Sequence, residues 1–202
     1  MHIDRRSFLA RGTAALGLGT AVLGGALPLR ALAATAEQAQ AHVVQTVEEV
    51  LLLVQAPGVA ETKAPQLRQI MEQRASMPQI AQAAAGIAWR QMTPDQQARF
   101  TDAFADYIAR IYARRFQEYE GQQIQVTGVR DAGQKGHLVQ SSVIGGGAPI
   151  SVEWLVSDRS GRVAINDIVI EGVSLVLTQR EEMAQMLASR GSDVEALIAA
   201  LG

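Results

Sequence analysis

Asp167 and Ser174 are the residues that come nearest to chemistry in this chain. Asp167 interrupts an apolar stretch, residues 163–170. A carboxylate in such a setting is either a base whose pKa burial has raised or an acid held by hydrogen bonds or an arginine. The second role is expected here. Gly172-Val173-Ser174-Leu175-Val176 begins like the sharp strand-to-helix turn that presents a nucleophilic serine, but Val176 stands where the second glycine belongs. Ser174 is therefore expected to be a hydroxyl packed after a strand. A hydrolase working through Ser174 or Asp167 is the enzymatic alternative. His42 and His137 are the only histidines beyond residue 33, and neither has a carboxylate at ligand spacing, so no metal site is expected. His42 reads as an interfacial or exposed helix residue. Gly145-Gly146-Gly147 lacks a following lysine and reads as a hairpin turn, while Glu118 and Glu120 read as solvated charge at a helix end. There is no cysteine, hence neither thiol chemistry nor a disulfide. No catalytic residue is assigned, and the chain reads as a non-enzyme.

These residues must be positioned by a chain whose hydrophobic period changes halfway. Val43, Val47, Val50, Leu51 and Val54 recur at helical spacing over residues 37–55, and Pro57-Gly58 ends that run. A second helix is expected from Pro65 and an alanine-rich third from Pro78 to Trp89. Thr93-Pro94-Asp95-Gln96 is a capping box that opens a long helix to about Glu120, with Phe100, Phe104, Ile108, Ile111, Arg115 and Tyr119 on one stripe. From Gln122 the period becomes two. Ile124 and Val126 lead a first strand, residues 128–136 turn, and residues 138–144 make a second. In the third, Ile150, Val152, Trp154 and Val156 alternate with Ser151, Glu153, Leu155 and Ser157; residues 163–170 form the fourth. The short turns between them imply an antiparallel meander. Two helices should close the chain, residues 180–190 and residues 193–201, the latter capped by Ser192.

The first 33 residues are expected to take no part in that fold. Asp4-Arg5-Arg6-Ser7-Phe8-Leu9 has the form of a twin-arginine export signal, and a glycine-diluted apolar run follows to Leu29. Ala31-Leu32-Ala33 then supplies a small-x-small cleavage motif, with a cut after Ala36 as the alternative. Residues 34–202 read as a single domain outside the cytoplasm. Removing the leader takes four arginines and one aspartate, leaving fourteen basic and nineteen acidic residues and a formal charge of −5. That balance argues against a nucleic-acid partner and against adhesion to an anionic membrane.

Two blocks resemble a known family. One is Trp89-Arg90-Gln91-Met92-Thr93-Pro94-Asp95-Gln96-Gln97, followed by Phe100, Phe104, Tyr107 and Tyr119-Glu120-Gly121-Gln122. The other is Asn166-Asp167-Ile168-Val169-Ile170-Glu171-Gly172-Val173-Ser174-Leu175, with Arg180 and Gly191-x-Asp193 behind it. On them the chain resembles the MlaC type of periplasmic phospholipid-binding proteins, also called the toluene-tolerance (Ttg2-type) auxiliary family of an ABC transporter. The resemblance implies an α+β fold in which helices wrap a twisted four-stranded antiparallel sheet around an apolar pocket. It implies a periplasmic location, phospholipid as cargo and no cofactor. It also implies exchange between an outer-membrane lipoprotein complex and an inner-membrane ABC transporter carrying a substrate-binding ring protein. The residues it points to for lipid are Phe104, Ile108, Ile111 and Tyr112 on the long helix, Val143, Ile150, Val152, Trp154, Ile168 and Ile170 on the sheet, and Val173 and Leu175 after it. The residues alone leave open whether these two walls meet as a filled core or stand apart around a ligand. The resemblance favours a pocket with Val152 and Trp154 facing Ile108 and Ile111. Val163 and Asn166 stand where members often place aromatic residues, which bears on cavity volume. A related branch occurs with hopanoid synthesis, so a polycyclic lipid is one alternative cargo and a ligand-free structural protein is another reading.

Overall fold

A reciprocal cap starts the first helix: Thr35 Oγ1 accepts from Gln38 N at 3.2 Å, and Gln38 Oε1 accepts from Thr35 N at 2.9 Å. The structure is a computed structural model that describes residues 34–202, so the expected leader lies outside the described residues. The cap opens α1 (Ala36–Gln55), which is followed by α2 (Ala60–Arg74), α3 (Met77–Ala85), a 3-10 turn and α4 (Pro94–Arg115). Helix α2 begins well before the expected Pro65. Pro65 lies inside α2, past the first turn, where it forgoes the hydrogen bond to the Glu61 carbonyl and crowds that carbonyl; the helix runs through it all the same. Thr93 and Gln96 cap α4 as the sequence predicts, and the helix tightens into a 3-10 turn at Phe116–Glu118.

Five strands follow, not four: β1 (Gln123–Asp131), β2 (His137–Ile144), β3 (Ile150–Ser157), β4 (Ala164–Ile170) and β5 (Val173–Ser174), antiparallel and in sequence order. The extra strand comes from Glu171 and Gly172, whose φ values of 49° and 81° are both left-handed. That is the two-residue hairpin geometry that folds a chain straight back on itself. The first turn is also shorter than expected, because β1 continues past an irregularity at Gly128 to Asp131. Gly136 tolerates no side chain there, since a Cβ would lie 2.2 Å from the Val156 carbonyl oxygen.

Helix α5 (Leu175–Ala188) starts before the expected Arg180, because Ser174 Oγ accepts from Leu177 N at 3.1 Å and caps it. Helix α6 (Val194–Leu201) is capped by Asp193, whose Oδ1 accepts from Glu195 N and Ala196 N, and not by Ser192.

The buried side chains fall into three clusters. Helices α3 to α6 share the first, around Phe100, Phe104, Ile108, Met183, Leu197 and Leu201. In the second, Ala39, Val43 and Val47 of α1 meet Val139, Val152, Trp154 and Val156 of the sheet. The third joins α1, α2 and α4 through Leu53, Leu67 and Ala113. Arg162 ties α2 to the β3–β4 connection by donating to the carbonyls of Glu72, Gln73 and Ala75 at 2.6–2.8 Å, an interaction that satisfies the open end of the helix.

Candidate functional site

Strand register decides which predicted residues share a surface. Val139, Trp154 and Ile168 lie side by side on one face, as do Ser141, Val152 and Ile170, and as do Ile124, Val143 and Ile150. Helix α1 lies over β1, β2 and β3 on this face. Val152 and Trp154 are buried beneath it, and Trp154 Nε1 donates to Ser141 Oγ at 2.9 Å, which satisfies the indole. Burial then falls away along the same face. Val143, Ile168 and Ile170 are half-buried, Ile150 is 43% exposed, and Val173 on β5 is 57% exposed.

The long helix divides its predicted residues differently. Phe104 and Ile108 are buried among α3, α5 and α6, with Phe104 stacked on Phe100 at 5.7 Å. Tyr112 fringes both the first and third clusters, while Ile111 and Leu175 are half-buried and belong to none. Val152 and Trp154 therefore do not share a cluster with Ile108, because α1 occupies the sheet face that was expected to look at α4.

What lies between the clusters is the candidate site. A domain of this size ordinarily builds one contiguous core. Here three clusters approach one another through half-buried side chains. Met71 and Tyr112 border the first and third, Ala75 borders the first and second, and Leu51, Ile168 and Ile170 edge the second. Leu51 belongs to the apolar helical run of residues 43–54, but nothing in the sequence marks it or Met71 as a rim. A separate groove of about 450 Å³ between α2 and α4, lined by Ala60, Ala64, Arg68, Asp106, Ala109 and Arg110, contains none of the predicted residues. Its Arg68 is already paired with Glu72, Asp102 and Asp106.

The polar residues singled out in the sequence are engaged structurally. Ser174 Oγ donates to Asp167 Oδ2 at 2.5 Å, and Asp167 Oδ1 accepts from Ile168 N at 2.8 Å and Val176 N at 3.1 Å. Asp167 is thus held by a hydroxyl and two amides, beside the first turn of α5, where a negative charge is favoured. Ser174 has an ordinary φ of −70°; the left-handed positions lie just before it and build the hairpin. The histidines are occupied elsewhere: His42 Nε2 donates to the Arg74 carbonyl at 2.7 Å and His137 Nε2 to the Ala34 carbonyl at 2.8 Å. Burial is the main cause that holds His42 below the usual imidazole pKa, opposed by its bond to Arg74. Among the described residues, no group of three or more His, Cys, Asp and Glu side chains is placed to hold a metal ion. Nor is any described helix long and apolar enough to cross a membrane.

Comparison with known proteins adds three findings. The family described as MlaC protein matches residues 37–202. Toluene tolerance protein ttg2D of Pseudomonas putida is 24% identical over 110 residues, 54% of this chain; the match spans about half, 51%, of that protein. A solved structure, that of the phospholipid-binding protein from Ralstonia solanacearum in complex with a phospholipid, aligns with a TM-score of 0.67 at 28% identity. That alignment covers 81% of this chain and 94% of the other.

Proposed function

This chain belongs to the MlaC family, and from that premise we propose that it is a periplasmic carrier which holds the acyl chains of a phospholipid between its three apolar clusters. The observation that carries this reading is the set of half-buried apolar side chains that edge the clusters, Met71 and Tyr112 between the first and third and Leu51, Ile168 and Ile170 along the second. The likeness to a phospholipid-bound structure supports it. Shape and dryness suit such a cargo better than directed polar contacts do. Each methylene kept from water is worth about 0.8 kcal/mol, so two exposed acyl chains would cost on the order of 20 kcal/mol. A carrier must come close to matching the membrane without greatly exceeding it, so that loading and unloading are near-balanced exchanges. The partners proposed for those exchanges are an outer-membrane lipoprotein complex and an inner-membrane ABC transporter with its substrate-binding ring protein.

The test is organic extraction of natively purified mature protein followed by mass spectrometry. Phospholipid in near-stoichiometric amount is the expected result. A polycyclic lipid in its place would correct the cargo, and nothing above background would leave a structural protein with no ligand.

A further inference from the structure

Ala34 is held by side chains far along the chain. Its backbone N–H donates to Asp158 Oδ2 at 3.1 Å, its carbonyl accepts from His137 Nε2 at 2.8 Å, and the residue is buried. Thr35, next to it, supplies the reciprocal cap of α1. These contacts bear on the two cleavage positions that the leader offers. A cut after Ala36 would delete Thr35 and its cap, together with both tethers to the sheet. A cut after Ala33 keeps all three and changes the chemistry of one. Hydrolysis of the Ala33–Ala34 peptide bond by a signal peptidase breaks the C–N bond and places the water oxygen on the Ala33 carboxylate. The Ala34 nitrogen gains protons to become an α-ammonium at neutral pH. The group facing Asp158 then changes from a neutral amide donor to a cation, and the hydrogen bond becomes charge-assisted.

We propose that the chain is processed after Ala33, and that Asp158 and His137 form a receptor site for the N-terminal residue so created, Asp158 taking the α-ammonium and His137 the carbonyl. Proteolysis thereby strengthens the attachment of α1 to the β3–β4 end of the sheet. The charged and titratable groups that touch Ala34 are Asp158 from the β3–β4 turn and His137 from β2, and Glu37 from the first turn of α1 is close enough to His137 for the two to interact. The proposal rests on residues 1–33 being a cleaved leader and is independent of the cargo.

The test begins with the full-length precursor exported in a Gram-negative host, the mature protein being recovered from the periplasm and its N-terminus read by intact mass and Edman sequencing. Ala34 is the expected first residue; a chain that begins at Glu37 overturns the proposal. The capture is tested separately by thermal melting of four proteins: the Ala34-started chain and a chain extended by Gly-Ser ahead of Ala34, each with and without Asp158→Asn. The substitution should lower the melting temperature by several degrees in the Ala34-started chain and by less than half as much in the extended one, where the nitrogen remains an amide. Equal shifts in both, or no shift in either, overturn the ion pair.

Discussion

At the scale of single residues, Asp167 and Ser174 show how a catalytic-looking pair can be structural. Their 2.5 Å contact invites a proton-transfer reading. Yet the serine hydroxyl is committed in both directions, donating to the carboxylate and accepting from Leu177 N, and His42 and His137 bond to backbone carbonyls elsewhere. A nucleophile needs a base that receives its proton and a hydroxyl free to approach the substrate. Ser174→Ala should therefore act on stability: loss of a helix cap and of the hydroxyl bound to Asp167 should cost about 1–2 kcal/mol, read by urea denaturation. Turnover of short-chain esters should stay at the background rate in both proteins. Clear esterase activity that vanishes in the variant would restore the hydrolase reading.

At the scale of elements, the decisive feature is which helix takes which face of the sheet. Helix α1 takes the ground over β1 to β3, and α4 turns its aromatic stripe toward α3, α5 and α6. Val152 and Ile170 are neighbours across β3 and β4 in the same cluster, Val152 buried within it and Ile170 half-buried at its edge, so the first tests packing and the second the open margin. Val152→Trp should overpack the contact with α1 and cost roughly 1–3 kcal/mol whether or not lipid is present. Ile170→Trp should instead leave the melting temperature of delipidated protein nearly unchanged while reducing the lipid that co-purifies. Full lipid occupancy in Ile170→Trp, measured by phosphate assay and mass spectrometry, would remove β4 from the proposed pocket.

At the scale of the whole molecule, charge governs how the protein meets a membrane. Residues 34–202 carry a formal charge of −5, which disfavours approach to an anionic surface, an effect that fades beyond a Debye length of roughly 10 Å at 0.1 M salt. Delivery is accordingly expected to need a protein partner. Mature protein mixed with phosphatidylglycerol-rich liposomes at low salt should remain in the supernatant after sedimentation. Tight association that salt reverses would point to a peripheral membrane protein in place of a shuttle.

Much of this architecture was legible from local rules. The capping box at Thr93, the period-two stretches and the short turns required helices followed by an antiparallel meander, because each signal acts within a few residues of itself. Other signals were misplaced for equally local reasons. Glu171 does not advertise the left-handed turn that creates β5, and Pro65 looked like a helix start although the helix runs through it. The resemblance carried by residues 89–97 and 166–175 supplied the family, but not the arrangement of the site. Only the tertiary structure decided that Val152 and Trp154 lie under α1, that Ile108 packs away from them, and that Asp158 reaches back to Ala34. The physical reason is that hydrophobic burial is non-directional. An apolar stripe states that it will be covered, while the partner that covers it is chosen by how all the elements pack at once.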